Sequence, residues 1–166
     1  MKIRFEPVFS SEAIVTVATL AQIIWNEHYT PIIGSAQVDY MINKFQSEAA
    51  IAKQIAEDGF EYYLIKEKDE AIGYIGITLK GDELFLSKFY ILASSRGKGA
   101  GSASVVFLTK RASELKATVI SLTVNKNNSN TLRAYEKMGF RTIKSVVADI
   151  GNGFVMDDYV MQLTVV

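Results

Sequence analysis

At 166 residues, with 18 lysines and arginines against 18 aspartates and glutamates, the chain has the length of one compact domain and no net charge to attract nucleic acid or an anionic membrane. It has no cysteine and one histidine, which excludes a disulfide framework, a thiol nucleophile and a histidine-rich metal centre. No run approaches the ~18 apolar residues of a spanning helix, and the opening MKIRFEPVF lacks the apolar segment of a signal peptide, so a cytoplasmic protein handling a small molecule is expected.

In chain order, Lys2 to Val8 reads as a strand. Ser10 or Ser11 caps a helix whose apolar stripe, Ile14, Val17, Ala21 and Ile24, advances in steps of three and four and reaches His28. Pro31 and Gly34 interrupt it. Val38, Met41, Ile42, Phe45, Ala49 and Ala52 predict one second helix ending near Gly59. Phe60 to Lys66, Ala71 to Leu79 and Leu84 to Leu92 are β-rich runs separated by the polar turns EKDE and KGDE, which predicts an antiparallel meander. The third run leads into SSRGKGAG, Ser94 to Gly101, and an amphipathic helix from Ser102 to Leu115 follows. Thr118 to Val124 reads as a strand. Asn128 is a good cap for a short helix carrying Leu132, Tyr135 and Met138 and stopped by Gly139, and a last hairpin turns at Gly151, Asn152 and Gly153. The prediction is an α/β (α+β) fold, one domain over 1–166, with a mixed, mostly antiparallel sheet of six to seven strands flanked by four helices.

The loop between the third run and its helix has the makings of an anion site. The first amides of a helix lack an internal acceptor and carry partial positive charge, and Gly97, Gly99 and Gly101 let backbone approach a phosphate closely. A Walker loop needs Gly-Lys followed by Ser or Thr, whereas Lys98 precedes Gly99. A dinucleotide fingerprint would need an acid after the next strand, and Ser121 to Asn125 contains none. Arg96, Gly99 and Gly101, opening a helix as Arg-x-x-Gly-x-Gly, resemble the acetyl-CoA pyrophosphate loop of the GNAT N-acetyltransferase superfamily. LTVNKNNSNTLRAYEKMGF, Leu122 to Phe140, resembles that superfamily's second signature. A ligand-free strand-to-helix turn is the plain alternative for the loop, a helix cap for Asn128 and a core aromatic for Tyr135.

The resemblance implies direct acetyl transfer from acetyl-CoA to an amine, without a covalent enzyme intermediate. It implies cofactor contacts from Phe89, Tyr90 and Ile91 on the strand and from Arg96, Gly97, Lys98, Gly99, Ala100, Gly101 and Ser102 in the loop. Asn128 would add a further contact, and Tyr135 would face the thioester sulfur. No metal is implied. The whole chain also looks similar to bacterial small-amine and polyamine acetyltransferases, so a primary amine of a small molecule or peptide is the expected acceptor; acetylation of a protein N-terminus or lysine, and a silent acyl-CoA-binding regulatory module, are the alternatives. Many relatives dimerise through sheet edges or helices, so a homodimer is compatible with the pattern.

Two protons need handling in such a reaction. Freeing the lone pair of an alkylammonium of pKa ~10.4 at neutral pH costs about 4 to 5 kcal/mol, and a phenol near ~10 is a weaker acid than a thiol near ~8.5, so Tyr135 is expected to donate a hydrogen bond more than a proton. Many relatives place a glutamate base where this chain has Thr123, which cannot serve at neutral pH, so a base must come from elsewhere or from water. His28, beside Glu27 and Tyr29, is the candidate base, against the plainer role of a hydrogen-bonded core histidine. Asp157 and Asp158 point to opposite faces of a strand, so one can turn inward and, with Asp149 or Glu27, select a cationic amine; a solvated position is the expectation. Lys88, in an otherwise apolar run, is expected to snorkel from the sheet.

Overall fold

The computed structural model describes residues 2–165. Its centre is a seven-stranded sheet in the order β1-β2-β3-β4-β5-β7-β6, formed by β1 (Ile3–Pro7), β2 (Phe60–Glu67), β3 (Glu70–Lys80), β4 (Glu83–Ile91), β5 (Val119–Asn125), β6 (Arg141–Gly151) and β7 (Phe154–Thr164). The meander pairs as the turn signals predict. Gly81 (φ 63) turns β3 into β4, and Asn152 (φ 54) with Gly153 (φ 78) gives the two left-handed positions that close the β6–β7 hairpin. Alternation along β2 then separates two cores. Tyr63 and Ile65 pack with Leu108, Ala112 and Tyr135, while Tyr62 and Leu64 pack on the other face with Val17, Trp25 and Ile51.

The described residues form five α-helices, not the predicted four: α1 (Ser11–Ile33), α2 (Ser35–Phe45), α3 (Glu48–Glu57), α4 (Ala100–Glu114) and α5 (Ser129–Lys137). Two boundaries differ from the sequence reading. α1 runs through Pro31 and stops at Gly34, whose φ of 87 suits glycine, because the apolar stripe buried through Trp25 keeps the helix on the sheet past the proline. The predicted second helix is two, broken at Gln46. The Ser47 hydroxyl accepts the Ala50 N–H (3.1 Å) and starts α3, a cap hidden by the apolar spacing that runs on from Phe45 to Ala49.

Gln46 is fully buried at this break and ties the helices to the sheet. Its Oε1 accepts the Tyr74 hydroxyl (2.6 Å), its amide donates to Tyr62 Oη (3.1 Å), and Tyr74 Oη accepts from Trp25 Nε1 (3.1 Å). Removing the hub leaves the buried Tyr74 hydroxyl with no acceptor, at about 1–3 kcal/mol, and takes one donor, worth about 1 kcal/mol, from Tyr62, which still donates to Gln54 Oε1 (2.5 Å). Gln46→Ala is therefore expected to lower unfolding free energy by about 2–4 kcal/mol, read from urea denaturation; a change under ~1 kcal/mol would show that the network is dispensable.

Candidate active site

β4 and β5 pair in parallel only over Glu83↔Val119, Leu84↔Ile120 and Phe85↔Ser121, and then separate. The cause lies on the opposite edge of β4. The register against β3 slips between Gly76↔Lys88 and Ile77↔Leu86, so Ser87 is an extra residue, and such a bulge bends its strand at the point where the ladder to β5 ends. Leu92 N–H bonds Ile72 O (2.8 Å), which by antiparallel alternation turns the backbone groups of Phe89 and Ile91 away from β3 and into the gap. The opening is a cavity of about 410 Å³ whose walls include His28, Phe89, Tyr90, Ile91, Thr123 and Tyr135.

The glycine loop caps one end of this gap. After β4, a 3-10 turn at Ala93–Ser95 leads to Gly97 (φ 75) and Gly99 (φ 90), both in the left-handed region with open space around an added Cβ. Ala103 is the first residue of α4 whose N–H turns back, to Gly99 O (3.1 Å), so the amides of Ala100, Gly101 and Ser102 have no helical acceptor, and no side chain caps the helix. Arg96 Nε donates to Ile91 O (3.1 Å), holding the cation at the gap's mouth. Arg96, Gly97, Ala100 and Gly101 line the cavity itself; Lys98, Gly99 and Ser102 belong to the loop beside it and do not line it. These free amides and open glycines fit a diphosphate.

Tyrosines crowd the gap from both faces of the sheet. Tyr29 Oη and Tyr90 Oη lie 3.2 Å apart, and Tyr135 on α5 packs against Phe89 (centroids 6.2 Å) and Phe140 (5.3 Å). Burial pushes the phenols of Tyr90 and Tyr135 well above their ordinary value, and raises that of Tyr29 as well. Tyr135 thus keeps its proton at any working pH. His28 lines the gap, as expected for a residue on the inward stripe, but its Nε2 already sits 2.8 Å from the Asn128 side-chain amide. Asn128 Nδ2 donates there, which leaves His28 neutral with its proton on Nδ1; burial and then the Arg96 charge lower its pKa. Asn128 is 5% exposed, does not line the cavity and makes no side-chain cap to α5, so its amide serves His28.

One expectation about lone charges is corrected. Asp158 is not a solvated strand position: it is 4% exposed and its Oδ1 has no hydrogen-bond partner, while Asp157 points outward to Lys126 Nζ (2.7 Å). Lys88 is half-buried, with part of its side chain open to solvent as a snorkelling lysine has. Its Nζ donates to Ser87 Oγ (2.7 Å), and burial pushes its pKa down to about 8. Tyr29 enters the sequence reading only as a neighbour of His28, because its partner Tyr90 lies 61 positions away.

A model of the acetyltransferase (GNAT) family matches residues 19–140, from within α1 to just past α5. The chain belongs to that family. Several solved structures share its GNAT fold. The PaiA N-acetyltransferase from Thermoplasma acidophilum, in complex with coenzyme A, is 18% identical with 99% of each chain covered and a TM-score of 0.81. The ribosomal-protein-S18-alanine N-acetyltransferase from Escherichia coli is 13% identical, covering 99% of this chain and 94% of its own, with a TM-score of 0.72. A Vibrio cholerae spermidine N-acetyltransferase chimera is 15% identical, covering 99% and 96%, with a TM-score of 0.71. No curated protein matches the chain at a significant level. Among the described residues of this GNAT protein, no helix is long and apolar enough to cross a membrane and no cluster of metal-ligating side chains occurs.

Proposed function

We propose that this GNAT chain transfers an acetyl group directly from acetyl-CoA to a primary amine. The observation that carries the reading is the split between β4 and β5, with the open α4 N-terminus at its mouth. Acetyl-CoA supplies an activated thioester. The chain's own groups bind and orient it: the amides of Ala100, Gly101 and Ser102 take the diphosphate with Arg96 beside them, and the backbone groups of Phe89 and Ile91 pair with the extended arm. Ile91 carbonyl is held by Arg96, which leaves its N–H for the thioester oxygen, where negative charge grows in the transition state. Gly97, Lys98 and Gly99 shape the approach, and Tyr90 and His28 wall the acceptor side.

Tyr135 offers its hydroxyl to the departing sulfur. Because burial makes the phenol a weaker acid still, its contribution is a hydrogen bond and not a transferred proton. Tyr135→Phe is expected to lower kcat about 10- to 100-fold with acetyl-CoA affinity changed less than ~3-fold, by steady-state kinetics and calorimetry. Wild-type turnover in that variant removes Tyr135 from the mechanism. The reading as a whole is tested by calorimetric titration with acetyl-CoA and with ATP, followed by release of free coenzyme A in the presence of primary amines. Affinity for ATP without affinity for acetyl-CoA overturns it; acetyl-CoA binding with no turnover on any amine or protein acceptor leaves an acyl-CoA-binding module.

A further inference from the structure

A direct transfer needs a group that receives the acceptor's proton, and neither His28 nor Thr123 supplies one alone. His28 Nε2 is taken by Asn128, and an isolated threonine hydroxyl is no base near neutrality. The register shows what stands behind Thr123. β5 and β7 pair Thr123↔Val160 and Asn125↔Asp158, so Thr123 and Asp158 lie on one face of the sheet as diagonal neighbours. Thr123 is exposed in the cavity, whereas Asp158 on the neighbouring strand is buried with an orphaned Oδ1. Among the described residues no lysine or arginine forms a salt bridge with Asp158, since Lys126 is engaged by Asp157.

Resting on the acetyltransferase reading, we infer that Thr123 and Asp158 form a two-residue proton relay that accepts primary alkylammonium substrates. Thr123 Oγ1 takes a proton from the ammonium as its own hydroxyl proton passes to the Asp158 carboxylate. One N–H bond breaks, its electron pair stays on nitrogen as the nucleophile, an O–H bond forms on Thr123, and the carboxylate ends neutral. Once product leaves, that proton returns to solvent by the same path. Nothing is oxidised or reduced. The orphaned oxygen is the acceptor that a buried carboxylate needs if it is to hold a proton, and a cation arriving at Thr123 meets a negative charge that no salt bridge occupies. Thr123 touches the substrate; Asp158 acts through it.

The electrostatics agree with this geometry. Burial, and then the neighbouring Asp157 charge, raise Asp158 to about 6, while Lys126 and the Thr123 hydroxyl pull it partly back. Tyr29 approaches from α1 and feels the Asp158 charge; from β6, Val146 stands opposite it and Lys144 lies one diagonal step away. A carboxylate at that level is a better base than one at the usual ~3.9, and it is still ionised at neutral pH. The sign for stability follows. Between ~3.9 and about 6 the folded chain binds more protons than the unfolded one, so folding stability falls as pH rises through that window.

The test uses the full chain, acetyl-CoA and two amine probes: butylamine, which must lose a proton before it attacks, and 4-methylaniline, which is uncharged at neutral pH. Calorimetry first checks acetyl-CoA binding, so that loss of the parent reading is seen separately. Asp158→Asn and Thr123→Val are each expected to lower kcat/KM for butylamine by ~30- to 300-fold, to spare 4-methylaniline within ~3-fold, and to abolish an acid limb near pH 6. Thr123→Ser is expected to restore the rate, and the limb is expected to keep its position in His28→Gln. Asp158→Asn is also expected to melt above the wild type at pH 7.5 and not near pH 4, which shows that it folds. Equal losses on both amines, an unchanged acid limb, lower melting of Asp158→Asn at pH 7.5, or a wild type that binds acetyl-CoA and acetylates no alkylamine each overturn the relay.

Discussion

Gly99→Glu is expected to weaken acetyl-CoA binding at least ~100-fold, about 2.7 kcal/mol, while the protein stays folded. Gly99 stands at the N-cap of α4 with φ 90 and ψ −2, and an added Cβ meets nothing within 4 Å. Crowding therefore contributes nothing. A side chain in the left-handed region costs about 1–2 kcal/mol, and the larger effect is electrostatic: a carboxylate at the open end of α4 would satisfy the amides of Ala100 to Ser102 and repel a diphosphate. Gly99→Ala separates the two causes. It carries the backbone strain without the charge, so an affinity loss under ~10-fold is expected from it. Calorimetric titration of both variants gives the answer; retained affinity in Gly99→Glu would move the phosphate site away from the helix end.

Gly73→Ala is expected to cost about 3 kcal/mol or more, seen as a fall of ~6–12 °C in Tm. A Cβ at Gly73 would sit 2.2 Å from Tyr90 O and 3.0 Å from Ile91 Cα, atoms of the neighbouring backbone that no rotamer change can move. The close approach has a local origin. The β2–β3 register slips beside it, from Ile65↔Gly73 to Lys66↔Ala71, and the extra Ile72 twists β3 against β4. The displaced residues are Tyr90 and Ile91, so surviving folded protein is also expected to bind acetyl-CoA less tightly. A Tm within 1 °C of the wild type would contradict the close approach.

The elements were legible where local chemistry and tertiary packing agree. Asn152-Gly153 closes a hairpin because two left-handed positions are affordable only to such residues, and Ser10 starts α1 because its hydroxyl accepts the Ala13 N–H. They were illegible where packing overrides the local signal. Pro31 reads as a break, yet the helix before it is buried deeply enough to carry the chain on to Ile33; the cap at Ser47 is masked by an apolar rhythm that crosses it. The same divide runs through the site. A loop such as SSRGKGAG announces itself, since its conformation is written in its glycines. The burial of Asp158 depends on which face of β7 meets β5, and the capture of His28 by Asn128 spans 100 positions; neither is encoded within any window of sequence.

A strand that stops pairing is usually a hazard, because bare N–H and C=O groups recruit strands from other molecules. Past Phe85 and Ser121 this sheet carries two such edges in its interior, in addition to those of β1 and β6. Their protection is a matter of width. Tyr29 and His28 close over one face of the opening and Tyr135 and Met138 over the other, so a foreign polypeptide, which must bring side chains above and below its backbone, is shut out while a slender unbranched arm is admitted. The defence against self-association then falls to the outer edges. β1 is five residues long and ends in Pro7, and β6 carries Arg141 and Lys144 with a kink at Ile143, the short, charged and bent edges that keep sheets from stacking end to end into aggregates.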